Sequence, residues 1–187
     1  MKKVTLIYPP HKFGVPKAYG MPPLGVLYIA ASLRRHGYEP IVLDFLLNGY
    51  SLNACIKDVV ATGADVVGIS VMTNRLYTSL QIARGIKKAA PDVAVVFGGA
   101  HINATGPDVM ANLELGAYVD ACIMKESEES FVDYLNGNTP PGLIFRDDNG
   151  EVQQNPAIIP SFDLDSRTCA ISLMFRLTTY LFSEKAR

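Results

Sequence analysis

The residues of this sequence that are best suited to hold a small molecule follow its buried apolar runs. Ser70 and Thr73 come after one such run, and Gly98 and Gly99 directly follow the next. Short hydroxyl side chains can hydrogen-bond a ligand without filling a crevice, and paired glycines let the backbone approach a flat or bulky group. An ordinary strand-to-helix turn would also account for the two glycines.

Two histidines stand in loops of the same kind. His11 follows Pro9 and Pro10 after the first apolar run, and His101 comes two residues after Gly99. An imidazole nitrogen of His11 could bind a metal ion, but such a histidine usually needs an acceptor that fixes its tautomer. A solvated loop residue is the alternative for His11, and His101 could either touch the edge of a ligand or cap a helix.

Apolar runs and helical periodicities alternate along the chain as far as residue 135. Five buried strands that alternate with helices predict an α/β fold, a doubly wound parallel sheet with the flavodoxin-like order 2-1-3-4-5. Ligands bind such sheets at the carboxyl ends of the strands, where the strand order reverses. The loops after strands one, three and four should therefore surround one crevice. We expect strands at Val4–Tyr8, Ile41–Asp44, Asp65–Val71, Val93–Phe97 and Asp120–Met124, and helices at Pro23–His36, Leu52–Thr62, Tyr77–Ala90, Pro107–Leu113 and Ser127–Leu135.

The pattern changes after Gly137. Asn149-Gly150 lies between two short apolar segments, and this dipeptide predicts a β-hairpin made of Leu143–Arg146 and Glu151–Gln154. The last part of the chain is apolar and can form a helix. We therefore predict a sheet domain over residues 1–137, a hairpin and linker over 138–165, and a tail over 166–187.

Composition narrows the possible partners. The net charge is −1 and no basic run with interleaved aromatic residues occurs, so neither nucleic acid nor an anionic membrane surface is an expected partner. The first apolar run is too short for a signal peptide, and no stretch approaches the ~18 apolar residues of a membrane span, which predicts a cytoplasmic protein. Cys55, Cys122 and Cys169 form no C-x-x-C pair, so neither a zinc site nor a disulfide framework is indicated. The glycine motifs of NAD and FAD sites and of P-loops are missing.

Five segments, taken together, resemble the N-terminal cobalamin-binding domain of B12-dependent radical SAM proteins. They include the double proline after the first strand, a P-P-L-G helix start, a D-V-V-G-I-S strand and a V-F-G-G-A-H loop. The resemblance covers roughly residues 1–165. The five segments are Val4–Pro10, Met21–Ala30, Ala64–Ser70, Val95–His101 and Lys125–Glu128.

The resemblance implies that cobalamin, a cobalt corrinoid, lies across the C-terminal edge of the sheet. Its nucleotide tail would enter a cleft beside the loops after strands three and four. Other cobalamin proteins carry D-x-H-x-x-G, with the histidine on cobalt; here Pro9 replaces the aspartate, and the radical SAM branch commonly leaves cobalt without a protein histidine. Lys125 and Ser127 replace the glycines of the family's G-E-G-E. The implied cofactor-binding residues are Pro9, Pro10, Ser70, Thr73, Gly98, Gly99, His101 and Glu126, with His11 as a candidate cobalt ligand.

The tail resembles the start of a radical SAM cluster motif, C-x-x-x-C-x-x-C. Cys169 fits its first position, but Leu173 and Arg176 stand at the other two, so we expect neither a [4Fe–4S] cluster nor S-adenosylmethionine in this chain. An amphipathic helix is the other interpretation of the tail. The resemblance thus predicts a cobalamin-binding module of a radical SAM methyltransferase, which binds without catalysis unless a radical SAM domain or partner chain supplies the rest. A non-enzymatic corrinoid carrier or sensor, and a flavodoxin-like domain for another planar ligand such as a flavin, remain open.

Overall fold

The structure, a computed structural model, describes residues 1–15, 22–46, 49–114, 116–125 and 127–157. Strands and helices alternate along these ranges, as the apolar pattern predicts. The strands are β1 Val4–Tyr8, β2 Ile41–Asp44, β3 Val66–Ser70, β4 Ala94–Gly98, β5 Ala121–Ile123, β6 Leu143–Arg146 and β7 Val152–Gln154. The helices are α1 Leu24–Arg35, α2 Leu52–Ala61, α3 Leu76–Ala89, α4 Ala100–Ala111 and α5 Ser127–Leu135.

The first five strands form the predicted parallel sheet. Their order is β2-β1-β3-β4-β5, which confirms the flavodoxin-like α/β fold. The predicted hairpin, β6 and β7, also forms, and β6 pairs antiparallel with β5. The hairpin therefore extends one sheet to seven strands and covers what would otherwise be the edge at β5.

Alternate residues of the central strands serve two hydrophobic cores. Leu6, Gly68 and Val96 lie side by side across β1, β3 and β4, on the face covered by α1 and α5. The residues that follow them, such as Ile69 and Phe97, face the opposite layer formed by α2, α3 and α4. Burial on both faces explains why these strands are continuous apolar runs in the sequence.

Helix α4 differs from its sequence prediction. The prediction began this helix at Pro107, because proline suits the first turn of a helix. The structure has a helical segment that begins at Ala100 and a second one beyond a kink at Thr105, whose φ is −136°. Pro107 lies in the first turn of the second segment, as predicted, where its missing amide hydrogen costs no helical hydrogen bond. The segment before the kink was not predicted.

The helices of the described ranges are short. The longest, α3, has 14 residues, which at about 1.5 Å per residue span roughly 21 Å. A membrane core is about 30 Å thick. None of the helices found in these ranges has both the length and the apolar character needed to cross a membrane.

Candidate cofactor-binding site

A cavity of about 180 Å³ lies between the sheet and helices α1 and α5. It opens beside the C-terminal halves of β1, β3 and β4, where a ligand was predicted. Its walls are largely apolar and include Leu6, Ile29, Val96 and Phe131. An apolar cavity of about 150 Å³ is enough to hold a benzene ring. This pocket therefore has the size and lining to accept part of a flat aromatic group.

Gly68 forms the floor of the pocket. A Cβ atom at this position would lie 2.9 Å from Cδ2 of Leu6 and 3.1 Å from Cζ of Phe131. A side chain here would crowd Leu6 and Phe131, so glycine lets α5 pack close to β3. The sequence analysis did not select Gly68, although a glycine inside an apolar strand is a recognised sign of close approach by a ligand or backbone.

Ser70 and Gly98, two of the residues selected from the sequence, line the mouth of the same pocket. They are paired in register at the ends of β3 and β4. A Cβ on Gly98 would meet the Ile123 carbonyl oxygen at 3.6 Å and the Ser127 Oγ at 3.8 Å, which are ordinary contacts. Gly98 thus leaves open space, and the Ser70 hydroxyl supplies a hydrogen-bonding group beside it.

Gly99 also lines the pocket, but its conformation is required by close packing between the loops after β3 and β4. Its φ is +98°, and a Cβ there would lie 2.8 Å from the carbonyl oxygen of Val71. The Val71 N–H donates to the Gly98 carbonyl at 2.7 Å, and the His101 N–H donates to the Val71 carbonyl at 3.1 Å. Only glycine allows the loops after β3 and β4 to pack this closely.

The loop after β5 supplies the third side of the pocket. Lys125 has a φ of +63°, the only positive φ of a non-glycine residue in the described ranges. Its N–H donates to Oδ1 of Asn103, and its carbonyl accepts a 3.1 Å hydrogen bond from the Ser127 hydroxyl. The left-handed conformation costs a side chain about 1–2 kcal/mol. Glu126, which the resemblance implicated, lies outside the described residues.

Thr73 and His101 meet beside the pocket. Nδ1 of His101 lies 3.2 Å from Oγ1 of Thr73, so the loops after β3 and β4 are joined by side chains as well as by backbone. Neither residue lines the cavity itself. They lie at the C-terminal edge of the sheet, where they can reach a ligand that covers this edge.

The double proline begins the loop after β1. Pro9 and Pro10 are both buried. The Pro10 carbonyl accepts a 2.7 Å hydrogen bond from the hydroxyl of Thr78, a residue of α3. The prolines therefore anchor the loop that carries His11 and do not line the cavity.

His11 lies against a buried arginine that the sequence analysis did not select. Its Nδ1 and Nε2 atoms are 3.4 Å and 3.3 Å from Nε and Nη2 of Arg75. The Arg75 guanidinium also stacks on the Tyr8 ring, with Cζ 4.0 Å from the ring centroid. Both imidazole nitrogens thus face a cation, which does not suit binding of a metal ion. In the described ranges, no three or more His, Cys, Asp or Glu side chains lie together in a group that could hold a metal ion.

Asp44, at the end of β2, is half-buried next to this arginine. Burial raises the pKa of its carboxyl, and a hydrogen bond from the Leu46 N–H and the charge of Arg75 act in the opposite direction. The carboxylate is therefore part of the same polar group of side chains at the sheet edge.

The described cysteines belong to the hydrophobic core, as predicted. Cys55 and Cys122 are fully buried on the face covered by α2, α3 and α4. Burial raises the pKa of each thiol to about 12. The tail residues compared with a cluster motif, Cys169, Leu173 and Arg176, lie outside the described residues.

An open α/β sheet with a glycine-floored pocket at its C-terminal edge defines a domain that binds a ligand at the strand ends. Comparison with known families identifies which domain it is. Residues 15–135 match the family model of the B12 binding domain, and the chain belongs to this family. The cobalamin-binding domain and the cofactor predicted from the sequence are thereby confirmed.

Curated relatives share this region with modest identity. The chain is 26% identical over 178 residues to an anaerobic magnesium-protoporphyrin IX monomethyl ester cyclase of Rubrivivax gelatinosus. It is 29% identical over 161 residues to a cytidylyl-2-hydroxyethylphosphonate methyltransferase of Streptomyces wedmorensis. The matches cover 89% and 73% of this chain but 32% and 29% of those proteins. The chain thus spans about a third of the length of these relatives.

A solved structure shows the same fold. The chain resembles part of OxsB, a cobalamin-dependent S-adenosylmethionine radical enzyme whose structure contains aqua-cobalamin and S-adenosylmethionine. The TM-score is 0.70 at 18% identity, over 96% of this chain and 25% of that one. The resemblance to the cobalamin-binding part of radical SAM enzymes is therefore confirmed for the fold.

Proposed function

We propose that this chain binds cobalamin with the nucleotide tail in the pocket between the sheet and helices α1 and α5. The corrin ring would lie across the C-terminal edge of the sheet. The observation that carries this proposal is the apolar cavity whose floor and mouth are formed by Gly68 and Gly98. Membership of the B12 binding domain family supports the choice of ligand.

The chemistry of the described residues fits such a ligand. The pocket can take the flat benzimidazole of the tail, because its walls are apolar and Gly98 leaves room at the strand end. The Ser70 hydroxyl at the mouth is placed to hydrogen-bond a polar atom of the tail. Thr73 and His101 lie at the rim, where they can contact the amide groups of the corrin. Glu126 and Gly99 complete the proposed set.

The corrin brings its own equatorial nitrogen ligands for cobalt, so a protein metal cluster is not required. His11 is the candidate for an axial ligand from the loop after β1, and its contact with Arg75 argues against that role. The proposal therefore treats His11 as a neighbour of the corrin. Pro9 and Pro10 hold its loop in position.

We further propose that the chain is the cobalamin-binding part of a radical SAM methyltransferase and binds without catalysis on its own. Bound cobalamin supplies a cobalt centre that can carry a methyl group. The relatives named above include a methyltransferase about three times as long as the matched region. A radical SAM domain or partner chain would supply the remaining chemistry.

The test is reconstitution of the purified chain with hydroxocobalamin, followed by gel filtration and an absorbance spectrum. We expect about one corrinoid per folded chain and no methyl transfer by the chain alone. A His11→Ala variant should retain the same spectrum. A folded chain that retains no corrinoid would refute the proposal, and retention of flavin mononucleotide instead would favour another planar cofactor.

A further inference from the structure

Arg75 is a buried cation with few partners. Its side chain follows β3 in the short 3-10 turn Thr73–Arg75, and only 5% of the residue is exposed. Nη1 is buried and has no hydrogen-bond acceptor in the part of the chain that the structure describes. No carboxylate of that part forms an ion pair with the guanidinium. A buried charge normally has such partners, so this arrangement lacks an acceptor.

The contacts that Arg75 does make cannot satisfy its donors. A neutral imidazole offers one acceptor nitrogen, so His11 can accept from only one of the two guanidinium nitrogens that it faces. The Tyr8 ring covers a face of the guanidinium and accepts none of its N–H groups in the plane. The Asp44 Oδ1 atom accepts from the Leu46 N–H. Most of the five N–H donors thus lack an oxygen partner among the described residues.

Hydrogen bonds to its backbone and contacts with its side chain fix the position of Arg75. The Ser79 hydroxyl donates to the arginine backbone carbonyl at 2.7 Å, and the Thr78 hydroxyl, which donates to the Pro10 carbonyl, lies 3.0 Å from the same oxygen. Its guanidinium lies at the ends of β1 and β2, next to Tyr8 and Asp44. Because Arg75 itself follows β3, it lies near the boundary between β1 and β3 at which the strand order reverses, on the edge over which the corrin is proposed to lie.

We infer that Arg75 donates a hydrogen bond to a peripheral amide carbonyl of the corrin. This carbonyl oxygen contacts the guanidinium either beside His11 or in its place. This inference rests on the proposed cobalamin binding and adds a binding residue to it. An apolar side chain would pack here without an unsatisfied donor, so the fold alone does not explain a buried arginine. The corrin carries amide oxygens around its rim, and a guanidinium fork suits such acceptors.

The first experiment compares two corrinoids and two arginine variants. Arg75→Met should weaken both cobalamin and cobinamide about tenfold, because both carry the corrin amides and only cobalamin has the nucleotide tail. Arg84→Met is the control: Arg84 is an exposed arginine on α3, the helix that follows Arg75, and its replacement should leave both affinities unchanged. Equal affinities in Arg75→Met and the parent chain would overturn the inference.

The second experiment uses cobalamins in which one propionamide is hydrolysed to a carboxylate, tested one position at a time. A carboxylate at the amide that Arg75 contacts should bind the parent chain about fivefold more tightly than the amide does, since charge-assisted hydrogen bonds are stronger. Arg75→Met should lose this preference. A merely structural arginine would give no preference that depends on the position of the carboxylate.

Circular dichroism establishes whether each variant folds. If Arg75→Met does not fold, Arg75→Gln makes the same comparison, because it keeps a polar side chain and removes the charge; an unchanged carboxylate preference would then overturn the inference. Failure of the parent chain to retain any corrinoid would refute the proposed function and this inference together. Retention with identical preferences in the parent and Arg75 variants would refute the inference alone.

Discussion

Replacement of Gly98 by valine should separate binding of the nucleotide tail from binding of the corrin ring. The nearest atoms to a Cβ at this position are 3.6 Å and 3.8 Å away, so the first added carbon makes ordinary contacts. Valine also suits a strand, so β4 should form as before. We therefore expect the free energy of unfolding of the ligand-free variant to lie within about 1 kcal/mol of that of the parent chain. Its two methyl groups would occupy space in a cavity of only about 180 Å³.

The added methyl groups should weaken binding only of a corrinoid whose benzimidazole ring has to enter the narrowed pocket. Overpacking of this kind costs about 1–3 kcal/mol, which corresponds to cobalamin binding weaker by about 5- to 150-fold. Cobinamide lacks the tail and should bind Gly98→Val as it binds the parent chain. Absorbance titrations with both corrinoids measure the difference. Ala94→Val is the matched control, because it adds two methyl groups at the other end of β4 on the same face. Equal losses for both corrinoids, or no loss for cobalamin, would refute this location of the tail.

Four further changes test other features of the molecule. Gly99→Ala should lower the free energy of unfolding by about 3 kcal/mol in urea titrations, because its backbone is strained for alanine and its Cβ would meet the Val71 carbonyl. Lys125→Gly should raise it by about 1 kcal/mol, since glycine adopts a positive φ without strain. Cys55 and Cys122, with pKa values raised to about 12, should resist iodoacetamide at neutral pH until the chain unfolds, as peptide mass spectrometry would show. Burial raises the pKa of the Asp44 carboxyl in the folded state, so the parent chain loses stability as the pH rises from the ordinary aspartate pKa through this raised one. The Tm of Asp44→Asn should therefore rise relative to that of the parent chain over this range.

Controls distinguish these causes from general effects. Gly137 also has a positive φ, +85°, but no atom lies within 4 Å of its added Cβ, so Gly137→Ala should lose less stability than Gly99→Ala. Lys125→Ala keeps the backbone strain, and an equal gain there would contradict the explanation for Lys125→Gly. A Tm difference for Asp44→Asn that does not change with pH would contradict the burial of that carboxyl, and native-state labelling of Cys55 would contradict its burial in the core.

The order and type of the elements follow from sequence because strand burial leaves a direct pattern. Strands apolar on both faces, separated by helices with an apolar stripe, allow few arrangements other than a doubly wound sheet. The segment of α4 from Pro107 was predicted because proline suits a first turn, whereas the segment before the Thr105 kink was missed because it begins at Gly99 and the Val71 contact. That contact joins two loops and has no local signature.

The site was predicted in part for the same reason. Gly98 and Ser70 follow strands in the sequence, so their place at the crevice could be inferred from topology alone. Gly68 lies inside a strand, and its importance depends on Phe131 from the distant helix α5. Arg75 begins a helix, where an arginine is usually solvated, and only the packing of the loop after β1 over it makes it buried.

Gly98 differs from the glycines of the opposite helical layer, and this difference bears on where a ligand can enter. On the face covered by α2, α3 and α4, an added Cβ at Gly85 would lie 2.1 Å from Cδ1 of Ile56, and one at Gly106 would lie 2.6 Å from Cδ1 of Ile144. Those glycines bring neighbouring elements into contact and leave no space. On the opposite face, Gly98 leaves a cavity open at the strand ends. Because that cavity lies beside β4 and the Arg75 guanidinium lies at the ends of β1 and β2, a tail and a corrin ring that reach both must extend across the sheet edge. Loss of binding to cobinamide and loss of binding to the tail should therefore be separable by substitutions at the two ends.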